Sequence, residues 1–347
     1  MSHRLGFAGL TTAVALLTAI SQPTPAAADA VADFYKGKTI NFYIGSAPAG
    51  GYDTYGRLVV RALGKHIPGS PDVLPRNMPG GSSRVAASYV YNVAPKDGLA
   101  LGMVNQELPL AQALGETLQF DAAKFNWIGT PDTDNRVVVT LATSGVKTIE
   151  DAKKKEVVMG GSGPVEASGY PEMLNTMVGT KFKTVKGYAG GNAIYLAMER
   201  GEVDGRADNA WESWKGDRGE WVRDGKVNVL VQVGLAKAPD LPNVPLLVDL
   251  AKTDEDRDVL KLISSSTTMG HPVMAPPGVP ADRVSALRKA FDEAMQDPVV
   301  LADAEKQRRS IRPVKGEELQ RIVAEVLASP QSVRDRALAL TQDKKPQ

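Results

Sequence analysis

From Thr39 onward, short apolar runs with strand-like spacing alternate with stretches of helical period, the pattern of a mostly parallel sheet with helices on its faces. Thr39 to Ile44 reads as the first strand. A loop rich in Gly and Pro follows, and then Leu58, Val59, Ala62, Leu63 and Ile67 share one face of a helix predicted over Asp53 to Ile67, stopped by Pro68-Gly69. An extended piece at Val73 and Leu74, a second glycine loop at Pro79-Gly80-Gly81 and a helix striped by Val85, Tyr89, Val90 and Val93 repeat the unit. Leu99 to Val104 and Arg136 to Thr143 read as further strands.

A second series starts near Thr148, whose spacing to Asp151 resembles a capping box. Strands are predicted at Glu156 to Gly160, Phe182 to Gly187 and Lys226 to Val233. From Pro280 the pattern is helical, divided by Asp297-Pro298 and Pro330 into about four helices expected to pack back on the first unit. The prediction is therefore an α/β protein of two α/β lobes with a cleft, two crossover segments and a helical C-terminal tail. The hinge is expected near Val139 to Ser144 and Ser266 to Val273.

The first 28 residues read differently. His3 and Arg4 lead into an apolar run from Leu5 to Ile20, followed by Ala26-Ala27-Ala28, a signal-peptide pattern with cleavage expected after Ala28. The run falls short of the ~20 residues a membrane span needs. Residues 1–28 are thus read as a signal peptide, 29–141 with 272–347 as lobe 1, and 142–271 as lobe 2. Composition adds exclusions: 41 basic against 40 acidic residues give a net charge of +1, with no basic block interleaved with aromatics, so no nucleic-acid partner is expected. The chain has no Cys, which removes disulfides, thiol nucleophiles, thiolate metal sites and a lipoprotein anchor.

Chemistry concentrates in loops that join strands to helices. Ser46-Ala-Pro-Ala-Gly-Gly-Tyr-Asp53 places glycines where the unpaired N–H groups of a helix begin, and such an end holds a carboxylate by its backbone amides. Ser46, Ala47, Gly50, Gly51, Tyr52 and Asp53 are candidates there, with Asp53 suited to a cap. Gly161-Ser-Gly-Pro-Val-Glu-Ala-Ser168 and Tyr188-Ala-Gly-Gly-Asn192 have the same build. They supply Ser162, Gly163, Ser168, Tyr188, Gly190 and Asn192, with Arg206, Asp208 and Trp211 downstream and Asn105 after the third strand. Ser168 as a plain cap and Trp211 as plain packing stay open alternatives.

At these loops the chain resembles the solute receptors of tripartite tricarboxylate transporters, the Bug family. Ala47-Pro-Ala-Gly-Gly-Tyr-Asp53, Asn77-Met-Pro-Gly-Gly-Ser-Ser83, Ala94-Pro-Lys-Asp-Gly98, Gly161-Ser-Gly-Pro164, Gly201-Glu-Val-Asp204 and Ala275-Pro-Pro-Gly-Val-Pro280 follow the family's motifs in order over nearly the whole mature chain. The resemblance implies a periplasmic-binding-protein-like two-lobe clamp that holds a small organic carboxylate in the periplasm and works with integral membrane transporter subunits; no cofactor is expected, and the chain is expected to be a monomer. Ala49, Ser82 and Ser83 stand where the family has glycines, and Arg206 where apolar residues are usual. Arg206 is either a partner for a second carboxylate or a surface or Asp-paired arginine.

No enzyme signature competes. The three histidines, His3, His66 and His271, have no metal or Ser-His-Asp spacing, and there is no nucleophile elbow, phosphate loop or dinucleotide fingerprint. No catalytic or metal-ligating residue is assigned. The alternatives are a secreted α/β enzyme acting on a carboxylated small molecule, or a receptor feeding a sensor kinase.

Overall fold

The computed structural model describes residues 25–133, 135–162, 169–188 and 191–341. The apolar leader lies outside them. Helix α1 (Pro25–Tyr35) precedes β1 (Thr39–Ile44), α2 (Gly51–His66), β2 (Asp72–Asn77), α3 (Arg84–Asn92), β3 (Ala100–Met103), α4 (Leu108–Ala113) and β4 (Asn126–Thr130). Strand β1 pairs in parallel with both β2 and β3. Its apolar Ile40, Phe42 and Ile44 are buried against the stripe of Leu58, Val59, Ala62 and Leu63 that α2 presents, which is what the two periods in the sequence anticipate. The sheet edge is β2, where Pro75 costs no ladder bond that a central strand would need.

The chain then builds a second sheet from β5 (Arg136–Leu141), α5 (Ile149–Ala152), β6 (Val157–Ser162), α6 (Gly169–Val178), β7 (Phe182–Tyr188), α7 (Gly191–Glu199), β8 (Gly205–Ala210), α8 (Trp211–Arg223) and β9 (Val227–Val233). Strand order here is β7-β6-β8-β5-β9, with β6 parallel to β7 and β8, and β5 antiparallel to β8 and β9. Helix α9 (Asp254–Met269) leads back to β10 (Val273–Ala275) in the first sheet. Then come α10 (Ala281–Ala294), α11 (Pro298–Lys306), β11 (Val314–Lys315), α12 (Gly316–Leu327) and α13 (Gln331–Thr341). The first sheet is completed as β11-β4-β10-β3-β1-β2. These are the two α/β lobes expected.

The passages between sheets are shorter than the sequence suggests. Residues 136–141 are paired along β5 in the second sheet, so the first passage falls between the end of β4 at Thr130 and the start of β5 at Arg136, ahead of the expected Val139 to Ser144. Ser266 to Met269 close α9, leaving Gly270 to Pro272 as the extended part of the second. The passages touch: Gly270 has φ +51, and a Cβ there would lie 2.0 Å from the Asp132 carbonyl oxygen, so glycine is required twice over. In the tail, α10 and α11 pack on α2 and α12 on β4, while α13 reaches α9 and α6.

Candidate functional site

The carboxyl ends of the parallel strands in the first sheet are aligned: Gly45 N donates to Met103 O (2.9 Å) and Met78 N to Ile44 O (2.8 Å). The loops after β1, β2 and β3 therefore share one edge, where ligands of open α/β sheets bind. The 46–53 loop is held from below by Asn77, whose Nδ2 donates to Ser46 O (3.0 Å) and to Asp53 Oδ1 (2.8 Å). Arg57 Nε donates to both oxygens of Asp53 at 3.0 Å, and Ala49 N donates to Asp53 Oδ2 at 2.9 Å. Burial pushes the Asp53 carboxyl up, but the bonds from Arg57, Ala49 and Asn77 together outweigh it and hold the group below the usual carboxylate range. Asp53 thus fastens the loop with every lone pair turned to the protein.

That commitment leaves the start of α2 open. The N-cap is Gly50, with no side-chain cap, and the N–H groups of Gly51, Tyr52 and Asp53 have no partner among the described residues. Gly50 and Gly51 are exposed, as are Ala47 and Ala49, and Ser46 Oγ turns to Ala47 O (3.2 Å). Ala49 holds φ +65, a left-handed conformation that a glycine would take freely. Ser82 and Ser83 do the same at φ +50 and +71. Ser83 Oγ compensates by donating to Gly45 O (2.9 Å).

The neighbouring loop is tied to this one, since Gln106 N donates to Tyr52 Oη (3.1 Å) and Asn105 Oδ1 accepts from Glu107 N (2.8 Å). Glu107 pairs with Arg136 (3.5 Å), the first residue of β5, which lies opposite Ala210 at the carboxyl end of β8. The carboxyl edges of the two sheets meet at this pair. Sequence reasoning missed Arg136 and Asn77 as site elements: the first was read only as a strand start, the second only as part of a motif.

In the second sheet, Ser162 ends β6, Tyr188 ends β7, Asn192 is exposed on the first turn of α7, and Asp208 lies in β8. Gly163, Ser168 and Gly190 fall outside the described residues. Arg206 is buried, not a surface arginine. Its guanidinium lies 5.5 Å from the Tyr195 ring and so close to Gly191 that a Cβ there would be 2.6 Å from Nη1. It underlies the start of α7, where a cation adds to the field of the helix end. Asn209 Nδ2 donates to Tyr195 Oη (2.7 Å), and burial pushes that phenol up to about 12. Trp211 stands apart from these. It is buried in the core with Tyr195 and Trp214, and its Nε1 donates to Asp240 Oδ2 (3.0 Å), which is the packing alternative.

A cavity of about 730 Å³ opens elsewhere, between α9, α12, α13 and residues 235–238. Of its cations, Lys261 pairs with Asp258, Arg321 with Glu318 and Glu325, and Arg312 with Glu212, while Lys237 donates to Pro242 O. It shares no residue with the 46–53 loop and offers a carboxylate less than the α2 start does. Among the described residues, no group of three His, Cys, Asp or Glu could hold a metal ion, and no helix is long and apolar enough to cross a membrane.

No family model matches the chain. A UPF0065 protein of Bordetella bronchiseptica is 24% identical over 291 residues, covering 82% of this chain and 80% of its own length. A TctC solute binding protein from Polaromonas, solved without ligand, superposes with a TM-score of 0.67 at 17% identity, covering 88% of this chain and 98% of that one. A protein of R. palustris, solved with adipate, gives 0.60 at 18% identity, covering 88% of this chain and 97% of that one. The resemblance carried by the sequence motifs leads to the same kind of protein, and the chain has the fold of the TctC solute-binding proteins.

Proposed function

We propose that this chain is an exported receptor of the tripartite tricarboxylate (Bug) type, which captures a small organic carboxylate in the periplasm and delivers it to integral membrane transporter subunits. The observation that carries the reading is the start of α2: three adjacent amides without a partner, kept open because the one acid beside them is bound to Ala49, Arg57 and Asn77. Arg206 under α7 supports a second grip from the other lobe. Lobes meeting at 131–135 and 270–272 would close over a guest that touches both, and the guest's extra contacts in the closed state would drive closure. The adipate found with an R. palustris protein of this fold supports a dicarboxylate.

A melting-temperature screen with adipate, malate, succinate, citrate and benzoate tests this. A binder at 100 times its Kd adds about 2.7 kcal/mol, roughly 4 °C for a chain this size. Gly51→Val, at an exposed position with no positive φ, should leave the unliganded melting temperature within about 2 °C and abolish the shift by covering the amides. No shift with any acid, or an undiminished shift in the variant, would overturn the reading.

A further inference from the structure

His271 sits in the three-residue passage between α9 and β10, and its imidazole touches both passages and α2. The His271 backbone N–H donates to Thr130 Oγ1 (3.0 Å), and Nδ1 lies 2.8 Å from Oδ1 of the buried Asp132 in the first passage. The ring packs on the first turns of α2, with centroids 4.3 Å from Tyr55, stacked, and 4.5 Å from Tyr52, tilted. Nε2 then faces the α2 start: it lies 3.4 Å from where a Cβ on Gly51 would be. No hydrogen bond is made to Nε2 among the described residues, and the side chain is 19% exposed.

These contacts set the proton chemistry of the ring. A carboxylate held against Nδ1 keeps a proton there, so a neutral His271 presents a bare lone pair at Nε2. Facing an incoming carboxylate, that lone pair repels. With a second proton the same atom becomes a donor aimed where the open amides point. The other charged or titratable groups around the ring are spoken for. Asp53 is bound by Arg57, Glu107 is paired with Arg136, and Arg312, next to the first passage through Pro131, is paired with Glu212. Tyr55 Oη donates to Ser310 O, and burial keeps the Tyr52 hydroxyl protonated.

Resting on the function proposed above, we infer that His271 is a ligand contact whose protonation accompanies binding, so that the receptor takes up a proton as it captures its carboxylate at the α2 start. Affinity therefore falls as pH rises, by up to ~10-fold per pH unit for one linked proton. Because the same ring joins the two passages, the charged form also links an occupied α2 start to the hinge.

Calorimetric titration of the full mature chain with adipate, or with whichever acid of the panel shifts melting most, reads the proton directly. Between phosphate and Tris at pH 7.5, the dependence of the binding heat on the buffer's ionisation heat should report net uptake. His271→Asn keeps a donor at the Nδ1 position for Asp132 but lacks an atom at Nε2. It should melt near the wild type, bind about 10-fold more weakly at pH 6 and show neither uptake nor pH dependence. His271→Gln, which restores a neutral donor near the Nε2 position, should recover affinity without the pH dependence. Zero uptake by the wild type, or uptake that survives in His271→Asn, would overturn the inference while leaving the receptor reading intact. Failure of every acid to bind would strike that reading instead. Should the variants fail to fold, the ¹⁵N resonances of the wild-type imidazole decide: they must move toward the imidazolium pattern as ligand is added, and unmoved resonances refute the link.

Discussion

Replacing Asp53 by alanine removes the fastening of the 46–53 loop without touching the amides it exposes. The carboxylate makes bonds to Arg57, to Ala49 N and to Asn77 Nδ2. Bonds to charged groups contribute about 1.5–3 kcal/mol when buried. Here the Arg57 side chain is 47% exposed and regains water, so its pair is discounted to about 1 kcal/mol. The exposed Ala49 amide is resolvated in the same way, and Asn77 keeps Ser46 O as an acceptor. The sum is about 2–3 kcal/mol, or roughly 3–5 °C in melting temperature by calorimetry. Carboxylate affinity should fall with it, because the amides lose their fixed spacing, although a like charge has been removed from the first turn. Asp53 has a lowered folded pKa, so its contribution is present above about pH 4 and lost as pH falls through the folded value. The gap between wild type and Asp53→Asn should accordingly begin to close as pH falls below about 5 and vanish once pH has passed through the folded value. An Asp53→Ala protein that melts within 1 °C of the wild type, or binds its acid more tightly, would refute the reasoning.

Ala49→Gly should stabilise the chain by about 0.5–1 kcal/mol, since relief of a left-handed alanine, worth about 1–2 kcal/mol, exceeds the added unfolded-chain entropy of glycine. A lower melting temperature would show that the turn is not strained. The Asp297 carboxyl is held well below the usual range by Lys65, then by His66 and the Val299 amide, so it stabilises above about pH 4 and loses that role in acid. Asp297→Asn, which keeps the cap of α11, should melt lower than the wild type at pH 7 in low salt and converge with it only as pH falls through the folded value, well below about pH 3. A gap that persists in acid would mean the charge is not the cause.

What the sequence made legible is what neighbouring residues decide among themselves. The step from β1 to α2 can be read because a run of period two, a glycine loop and a stripe of period 3.6 follow one another with nothing distant needed. Strand β8 cannot. Gly205-Arg-Ala-Asp-Asn-Ala210 carries no strand pattern, yet it lies between β6 and β5 in its sheet. Arg206 and Asn209 are there for Tyr195 and α7, and Gly205 is there because a Cβ would lie 2.2 Å from Val139 O. The end of α9 is disguised in a different way. Ser265, Ser266 and Thr267 look like a linker, but their hydroxyls donate to the carbonyls three residues back and so satisfy themselves inside a buried helix.

The same distinction explains the candidate site. Asp53 could be read as a poor contact and a good fastener from its place in one loop, and the backbone amides from the glycines beside it. His271 could not be read, because the acid that fixes its tautomer is Asp132, 139 residues away, and the rings that seat it belong to α2. A histidine before a proline looks inert until the fold closes two passages around it. If a two-lobe receptor must feel its guest at the hinge, the residues that do so have to be of this kind: long-range, shared between passages, and without a local signature. Proton uptake that vanishes in His271→Asn would place that sensing in one ring, whereas uptake surviving there would return it to the loops, where the motifs alone would have put it.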